Sequence, residues 1–259
     1  MWATHTQYLN DDSEFRHALA LTQQSINVRK AAVVNGEEAS KTWQEMYRTT
    51  EGIESINVCV SSFSEVPDSL SQWRAYSGPT SGFAIGVSGK SLRNLVLKHS
   101  FYLAPCIYEE PQQQKLIDVV VDGVFRENMD AKLRIREEGE KEEDELFLVE
   151  RGGNLPPRLH RYAPIIKHHK FSEEKEWRII TRPVMVSNSK FDFREGKSTI
   201  VPFYKIDLDY EGVSAKIVEV VVGPTPRPLH AQSAVARLLR ANGLKEVQVK
   251  PTEIPYRNW

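Results

Sequence analysis

The chain has 259 residues, of which 40% are hydrophobic and 27% are charged, and this composition is typical of a folded globular protein. Its formal net charge of -1 provides no bulk electrostatic attraction to nucleic acid or to an anionic membrane. No apolar run is long enough to cross a membrane, and the N-terminus lacks a signal-peptide pattern. Cys59 and Cys106 lie in apolar runs, as buried thiols do. We therefore predict a cytoplasmic protein that makes no membrane contact.

Hydrophobic periodicity predicts mixed strands and helices in the first part of the chain. The strands are predicted at 1–6, 56–63, 83–87 and 101–108, and the helices at 11–34, 42–48 and 92–99. Residues 116–149 are predicted to be mostly helical. They include an acidic run at 137–145, which we expect to be exposed and to have no role in a site, because its charges could not be buried unpaired.

Glycine and proline breaks at 152–157 and 164 precede a second group of elements. Strands are predicted at 174–182, 199–208, 216–222 and 247–249, with a helix at 229–241. Strands and helices do not alternate strictly, which favours the α+β class over a parallel α/β fold. We predict one domain over residues 1–259. It would contain a single mixed, mostly antiparallel sheet flanked by helices, with a helical insertion at about 110–165.

The segment from Val58 to Tyr76 combines a strand with a short polar helix. Alternation along the strand places Ser62 and Ser64 on one face. Asp68 is predicted to cap the helix that follows. A buried tryptophan on a capped helix explains part of this pattern. A binding site explains why polar and aromatic residues crowd one turn, and its candidate ligand-binding residues are Ser62, Ser64, Gln72, Trp73 and Tyr76.

The segment 167–180 is the second candidate. As a strand, it places Glu174, Glu176 and Arg178 on one face. This pattern is typical either of a solvated edge strand with cross-strand ion pairs or of a site where a carboxylate positions a hydroxyl or accepts a proton. His168 and His169 lack the spacing of a helical zinc pair, so no metal site is predicted.

Two shorter patterns also suggest a pocket. Asp11 and Glu14 form a predicted capping box, and the functional alternative places Asn10 and Asp11 on a pocket rim beside His5. Residues 84–91 end like a phosphate loop, but Ala84 stands where that loop requires glycine, which argues against ATP or GTP binding.

Taken together, these segments resemble a bacterial family filed as domain of unknown function 2971. Order and spacing match over nearly the whole chain. The motifs are Trp2-Ala3-Thr4-His5, Tyr8-Leu9-Asn10-Asp11, Ser62-Phe63-Ser64, Gln72-Trp73-Arg74-Ala75-Tyr76, Gly82-Phe83-Ala84-Ile85-Gly86 and Lys167…Phe171…Glu174-Lys175-Glu176-Trp177-Arg178. Members usually begin with an additional strand that carries a His-Tyr-Thr motif. Here Met1 directly precedes Trp2, so we expect the strand at Trp2–Thr4 to leave an exposed sheet edge.

The layout of this family is similar to that of ADP-ribosyltransferases. The resemblance implies that Ser62 or Ser64 aligns the nicotinamide end of nicotinamide adenine dinucleotide (NAD) and that Tyr76 or Trp73 stacks on a ring. It also implies that Glu176 is the catalytic carboxylate, with Glu174 and Arg178 beside it. We therefore expect a nucleotide-handling enzyme that modifies a protein or nucleic acid in stress or phage defence. The missing first strand removes the expected ribose-binding histidine and predicts weak activity. The alternative is a non-catalytic ligand- or protein-binding module.

Overall fold

The structure, a computed structural model, describes residues 1–9, 13–34, 36–51, 56–77, 82–138, 153–196 and 198–256. Asn10 and Asp11 lie outside the described residues, as does most of the predicted acidic run. Its first two residues, 137 and 138, end a long helix.

The helices follow the predicted pattern, but several of their bounds differ. The helix at 37–48 begins five residues earlier than predicted, the helix at 110–138 begins six residues earlier, and the helix at 155–162, inside the predicted insertion, was not predicted separately. The helices are α1 (Ser13–Ala31), α2 (Glu37–Arg48), α3 (Leu70–Tyr76), α4 (Gly89–Lys98), α5 (Glu110–Glu138), α6 (Leu155–Tyr162) and α7 (Pro228–Ala241). Short 3₁₀ helices cover Thr6–Tyr8, Ala163–Ile165 and His169–Glu174. None of the helices in the described part of the chain is long and apolar enough to cross a membrane.

The strands include every predicted one, together with β6, β8 and β9, which were not predicted. The first six strands are β1 (Trp2–His5), β2 (Cys59–Ser64), β3 (Phe83–Val87), β4 (Tyr102–Pro105), β5 (Glu176–Ile180) and β6 (Phe191–Glu195). The others are β7 (Ile200–Lys205), β8 (Asp209–Tyr210), β9 (Val213–Ser214), β10 (Ile217–Val222) and β11 (Gln248–Pro251).

A six-stranded antiparallel sheet, the main sheet, has the order β4-β5-β2-β1-β7-β6. The α+β class and the antiparallel main sheet flanked by helices are therefore confirmed. The strands are nevertheless divided among three sheets and not gathered in one. β3 pairs with β10 in a small sheet of order β11-β10-β3, and β8 pairs with β9. Alternation of apolar and polar residues identifies a strand but not its partner strand. The sequence pattern therefore could not show that the strands form three sheets and not one.

The predicted exposed edge at the first strand is wrong. Thr4 of β1 pairs with Val60 of β2 on one side and with Phe203 of β7 on the other. β7 therefore covers the side that was expected to be open. β5 is also an interior strand, because β2 and β4 flank it.

The main sheet is covered differently on its two faces. On one face, Leu92 and Val96 of α4 pack on Cys59 and Ile179. On the other face, the end that carries Val60 and Ile180 packs on the 3₁₀ helix at Ala163–Ile165 and on partly buried residues of α5 and α6.

The predicted insertion packs on helices from earlier in the chain, and the helical core draws residues from α1, α2, α5 and α6. Trp43 of α2 stacks on Phe125 of α5 with ring centroids 3.9 Å apart. Arg29 of α1 forms ion pairs with Asp118 and Asp122 of α5. The single-domain organisation stays a prediction.

Trp73 attaches α3 to the small sheet. Its indole N–H donates to Asp68 Oδ1 at 2.5 Å, and Asp68 also accepts hydrogen bonds from Thr252 and from the backbone N–H of Glu253. Burial tends to raise the pKa of Asp68, but these three hydrogen bonds outweigh it and lower the pKa. The N-cap residue of α3 is Ser69, so the predicted capping role of Asp68 is wrong. Asp68 instead connects α3 to the chain after β11.

We predict that Gly223→Ala destabilises this attachment. An added Cβ would lie 2.8 Å from two ring carbons of Trp73 and 3.0 Å from the carbonyl oxygen of Gly82, and neither neighbour can move freely. We expect a loss of about 1–3 kcal/mol in the free energy of unfolding, measured by urea denaturation. Gly123→Ala in α5 is the matched control, because its added methyl meets nothing within 4 Å. It should stabilise the helix by up to about 1 kcal/mol. Equal effects of the two changes would contradict the packing argument.

Candidate functional site

A cavity of about 1390 Å³ is lined by residues of the main sheet, α3, α4 and the small sheet. It exceeds the roughly 300–1,000 Å³ of most ligand pockets, so a ligand the size of a dinucleotide fits. Eight of the predicted site residues line it: Ser62, Ser64, Gln72, Trp73, Tyr76, Glu174, Glu176 and Arg178. The structure therefore brings both candidate segments together, while the roles of these residues stay predictions.

The floor of the cavity holds a group of four charges, the charge cluster, formed by Lys167, Glu174, Glu176 and Arg178, of which all but Glu174 are buried. Lys167 Nζ lies 2.6 Å from Glu174 Oε2 and 2.5 Å from Glu176 Oε2. Arg178 Nε lies 2.7 Å from Glu176 Oε1, and Arg178 Nη2 lies 3.1 Å from Glu176 Oε2. Both oxygens of Glu176 are therefore held by cations.

Glu176 and Lys167 are both charged at neutral pH. Burial tends to raise the pKa of Glu176, but the hydrogen bonds and charge of Arg178, with those of Lys167 and Ser62, lower it to about 2. Burial tends to lower the pKa of Lys167, but its bonds to Glu174 and Glu176 raise it well above its ordinary value. The carboxylate of Glu176 and the ammonium of Lys167 therefore form an ion pair at neutral pH.

Strand register explains why four of the site residues meet. In the pairing of β2 with β5, Ser64 lies opposite Glu176 and Ser62 lies opposite Arg178. Directly opposed residues share a face of the sheet, and alternation places Glu176 and Arg178 together as predicted. Glu174 differs, because it ends a 3₁₀ helix and Lys175 then turns with a φ of 41°. The prediction that Glu174 lies on the strand is therefore wrong.

The interpretation of this segment as a solvated edge strand is also wrong. β5 is flanked on both sides, and only 5% of Glu176 and 2% of Arg178 are exposed. Neighbouring backbone and side chains hold the cluster in place. Arg178 Nη1 donates to the carbonyl of Pro164 at 2.5 Å, and Gln113 donates to the carbonyl of Lys167 at 2.8 Å. The backbone N–H of Glu176 donates to the hydroxyl of Tyr108, whose pKa burial raises to about 12.

Aromatic side chains line the cavity above this floor. Tyr76 is 62% exposed, Phe83 is 51% exposed and Trp2 is 58% exposed. Phe171 lies beneath Lys167, whose Nζ is 4.9 Å from the ring centroid. Trp73 is buried, and its N–H is bonded to Asp68, so it can offer a ligand only part of its ring. The arrangement combines flat apolar surfaces with a charged floor, as sites for ring-bearing polar ligands do.

His5 does not line the cavity, which contradicts its predicted place beside the pocket. It is 3% exposed, and its Nδ1 accepts from the backbone N–H of Gln7, so its imidazole caps the 3₁₀ helix at Thr6–Tyr8. Burial lowers its pKa. Tyr8, whose ring lies edge-on to His5, lines the cavity in its place.

The cavity also contains residues that were not selected from the sequence. Lys167 and Phe171 lie in loop and 3₁₀ segments, where no periodicity marks their direction. Arg194 lies on β6, which was not predicted. Trp2 and Lys167 belonged to the family motifs, and that was the signal that could have identified them.

Other sequence patterns have structural explanations. Within the described ranges, no group of three or more His, Cys, Asp or Glu side chains is arranged to hold a metal ion. In the segment that resembles a phosphate loop, Ala84 and Gly86 pair with β10. Ser88 caps α4 by accepting from the N–H of Ser91. Because the backbone before Ser88 is extended and paired, it does not form a loop around a phosphate.

A family model described as a protein of unknown function (DUF2971) matches residues 72–179. The matched segment runs from α3 into β5 and contains Tyr76 together with the whole charge cluster. The match covers less than half of the chain, and it is to the family that the sequence motifs resemble. No curated protein and no solved structure matches the chain significantly.

We predict that Glu176→Gln strongly destabilises the fold. The change leaves Lys167 and Arg178 buried without their shared carboxylate, at a cost of about 3–5 kcal/mol by chemical denaturation. Since folding lowers the pKa of Glu176 from 4.5 to about 2, its contribution is fully present above pH 4.5 and is lost as the pH falls towards 2. Between pH 4.5 and 2, the free energy of unfolding should therefore fall less steeply with decreasing pH in the variant than in the wild type.

Asp192→Asn is the matched control for this prediction. It breaks the Lys205 ion pair on the same sheet, but both of those side chains are about half exposed. Exposed pairs contribute little, so its stability should equal that of the wild type. If the Glu176→Gln variant were as stable as this control, the buried cations Lys167 and Arg178 would not need the carboxylate of Glu176, and the prediction would be wrong.

Proposed function

We propose that the cavity binds a nucleotide and that the chain is an ADP-ribosyltransferase-like enzyme, with NAD as the candidate substrate. One observation supports this most directly. Glu176 is held as an oriented, ionised carboxylate beside Ser62 on the floor of a cavity with aromatic walls. A protein or nucleic acid would be the acceptor, in stress or phage defence.

The reaction requires a carboxylate near the nicotinamide ribose. The bond between ribose C1′ and the nicotinamide nitrogen breaks, and nicotinamide leaves with the electron pair. Positive charge then develops on the ribose, and an ionised carboxylate stabilises it. A nucleophile of the acceptor bonds to C1′ and releases a proton. The low pKa of Glu176 suits this electrostatic role and does not suit proton transfer at neutral pH.

The partners of Glu176 suggest how a ribose could approach it. Arg178 and Lys167 hold both of its oxygens, and Ser62 is a third, uncharged partner. A ribose hydroxyl that replaces the Ser62 hydroxyl would bind Glu176 and leave both ion pairs intact. Tyr76 is largely exposed, so it can stack on a ring without losing a fold contact.

The first test combines titration calorimetry with a chromatographic assay for nicotinamide release. We expect the wild-type protein to bind NAD. Tyr76→Ala should weaken binding by about tenfold, because a stacked ring contributes about 1–3 kcal/mol. Arg74→Ala is the matched control, since Arg74 is exposed on the same helix and does not line the cavity.

Glu176→Asp separates binding from reaction. It keeps the charge but shortens the side chain, so NAD binding should persist while nicotinamide release falls. Circular dichroism checks that the variant is folded. The proposal is refuted if the wild-type protein does not bind NAD at millimolar concentration. It is also refuted if Tyr76→Ala leaves the affinity for NAD unchanged and Glu176→Asp leaves the rate of nicotinamide release unchanged.

A specific observation favours a second candidate function, a non-catalytic module that binds an extended peptide. Among the described strands, β3 pairs only with β10, so its other edge is unpaired at the cavity. Its Phe83 and Ile85 are 51% and 60% exposed. An unpaired apolar edge can accept a peptide as an added strand. Selection from a peptide library would test this, with Ile85→Lys as the negative control. Peptide binding without nucleotide binding would favour this function over the enzyme.

A further inference from the structure

Trp2 is an exposed tryptophan on an interior strand. Although β2 and β7 flank β1 on both sides, 58% of Trp2 is exposed, and the residue lines the cavity. Its ring rests on the buried Phe203, with the ring centroids 4.8 Å apart and the planes tilted by 42°. Tryptophan is mostly buried in folded proteins, because its ring carries a large apolar area. The fold therefore holds a flat apolar surface in contact with solvent at the cavity, where a ring of the ligand can cover it.

Strand register gives the position of Trp2 relative to Glu176. Thr4 pairs with Val60 across β1 and β2. Two residues further along, Trp2 is therefore level with Ser62 and on the same face. Glu176 lies on β5, two strands from β1, and another two residues along. With strands about 4.8 Å apart and a rise of about 3.4 Å per residue, the Cα atoms of Trp2 and Glu176 are about 12 Å apart.

This separation fits the two ends of a dinucleotide. A ring bonded directly to a ribose at Glu176 stays close to that carboxylate. The ring at the far end of NAD is separated from the same ribose by the pyrophosphate and a second ribose, so it can reach Trp2. The span therefore favours adenine, and not nicotinamide, at Trp2.

The charges around Trp2 also favour a neutral ring over a cationic one. The Arg194 guanidinium carbon lies 5.9 Å from the centroid of the Trp2 ring. Lys205, which pairs with Trp2, is bound to Asp192 at 2.6 Å. The nicotinamide ring of NAD is a positively charged pyridinium, which a neighbouring guanidinium repels, whereas adenine is neutral at neutral pH. Span and charge thus select the same end of the dinucleotide.

We infer that Trp2 is the stacking surface for the adenine ring of NAD, and this inference rests on the proposed function. The nicotinamide ribose would lie at Glu176, and the pyrophosphate would cross β2 towards β1. Adenine would then cover the exposed ring of Trp2. The site would therefore recognise a dinucleotide better than a mononucleotide.

The test compares two ligands that differ in the adenosine half. NAD and nicotinamide mononucleotide are titrated into the wild type and Trp2→Ala by calorimetry. We expect the wild type to bind NAD about tenfold to a hundredfold more tightly than the mononucleotide, because one base stacks. Trp2→Ala should lose about the same factor for NAD and bind the mononucleotide unchanged.

Trp2→Leu is the second variant, in case the alanine variant does not fold. Leucine keeps an apolar cover on Phe203 but offers no flat ring, so its loss of NAD affinity should match that of Trp2→Ala. Circular dichroism checks the fold of both variants.

Phe193→Ala is the matched control. Phe193 is an aromatic residue of the same sheet and is 54% exposed, but it alternates with Arg194 and so lies on the opposite face, away from the cavity. Its removal should leave the affinities for both ligands unchanged.

The outcomes separate this inference from the proposed function. If Trp2→Ala and Trp2→Leu leave the affinity for NAD unchanged while Tyr76→Ala weakens it, the inference is overturned and the proposed function stands. The same holds if the Trp2 variants weaken both ligands equally, because nicotinamide would then be the ring at Trp2. If NAD does not bind the wild type, both proposals are overturned. A single-stranded oligonucleotide that then binds the wild type but not Trp2→Leu would assign Trp2 to a nucleic acid instead.

Discussion

The burial of Glu176 with two cations constrains how the segment before β5 and the 3₁₀ helix at Ala163–Ile165 pack on the main sheet. Buried charges are tolerated only when their partners and hydrogen bonds replace the lost water. Here the partners come from different parts of the chain: Arg178 from the same strand, Lys167 from the segment before it, and the carbonyl of Pro164 from the 3₁₀ helix that packs on the sheet. Because each of these groups is needed, the cluster determines how the helical layer sits on β5. The same cluster forms the floor of the cavity.

A site built in this way is rigid at its floor and adaptable at its walls. The floor is closed by ion pairs and by backbone hydrogen bonds, so a ligand meets a carboxylate whose orientation is already set. The walls contain Tyr76, Phe83 and Trp2, which are largely exposed and free of such restraints. A ligand that orders these rings loses some side-chain entropy and gains apolar contact. The orientation of a ligand would therefore be set at the floor, and affinity for rings would come from the walls.

The sequence predicted what depends on local periodicity and missed what depends on long-range pairing. The bounds of β3 were predicted correctly, because an apolar run between glycines marks them. The shared face of Ser62, Glu176 and Arg178 follows from a period of two and one pairing. The edge position expected of β5 was wrong because β4 pairs with it, and no local pattern encodes that partner. Arg194 was missed since β6 has polar residues between its aromatic ones and was not identified as a strand.

The attachment of α3 is independent of the charge cluster, and this separation has a consequence for the site. Asp68 and Gly223 hold Trp73 against the small sheet, while Lys167 and Arg178 hold β5. These two sets of residues do not overlap. A substitution in one set and a substitution in the other should therefore have additive effects on the free energy of unfolding. The cavity lies between these two attachments. The packing of α3 against Gly223 therefore sets the width of the cavity, while the residues on and before β5 set its charge. Substitutions could change the shape of the cavity without changing its electrostatics.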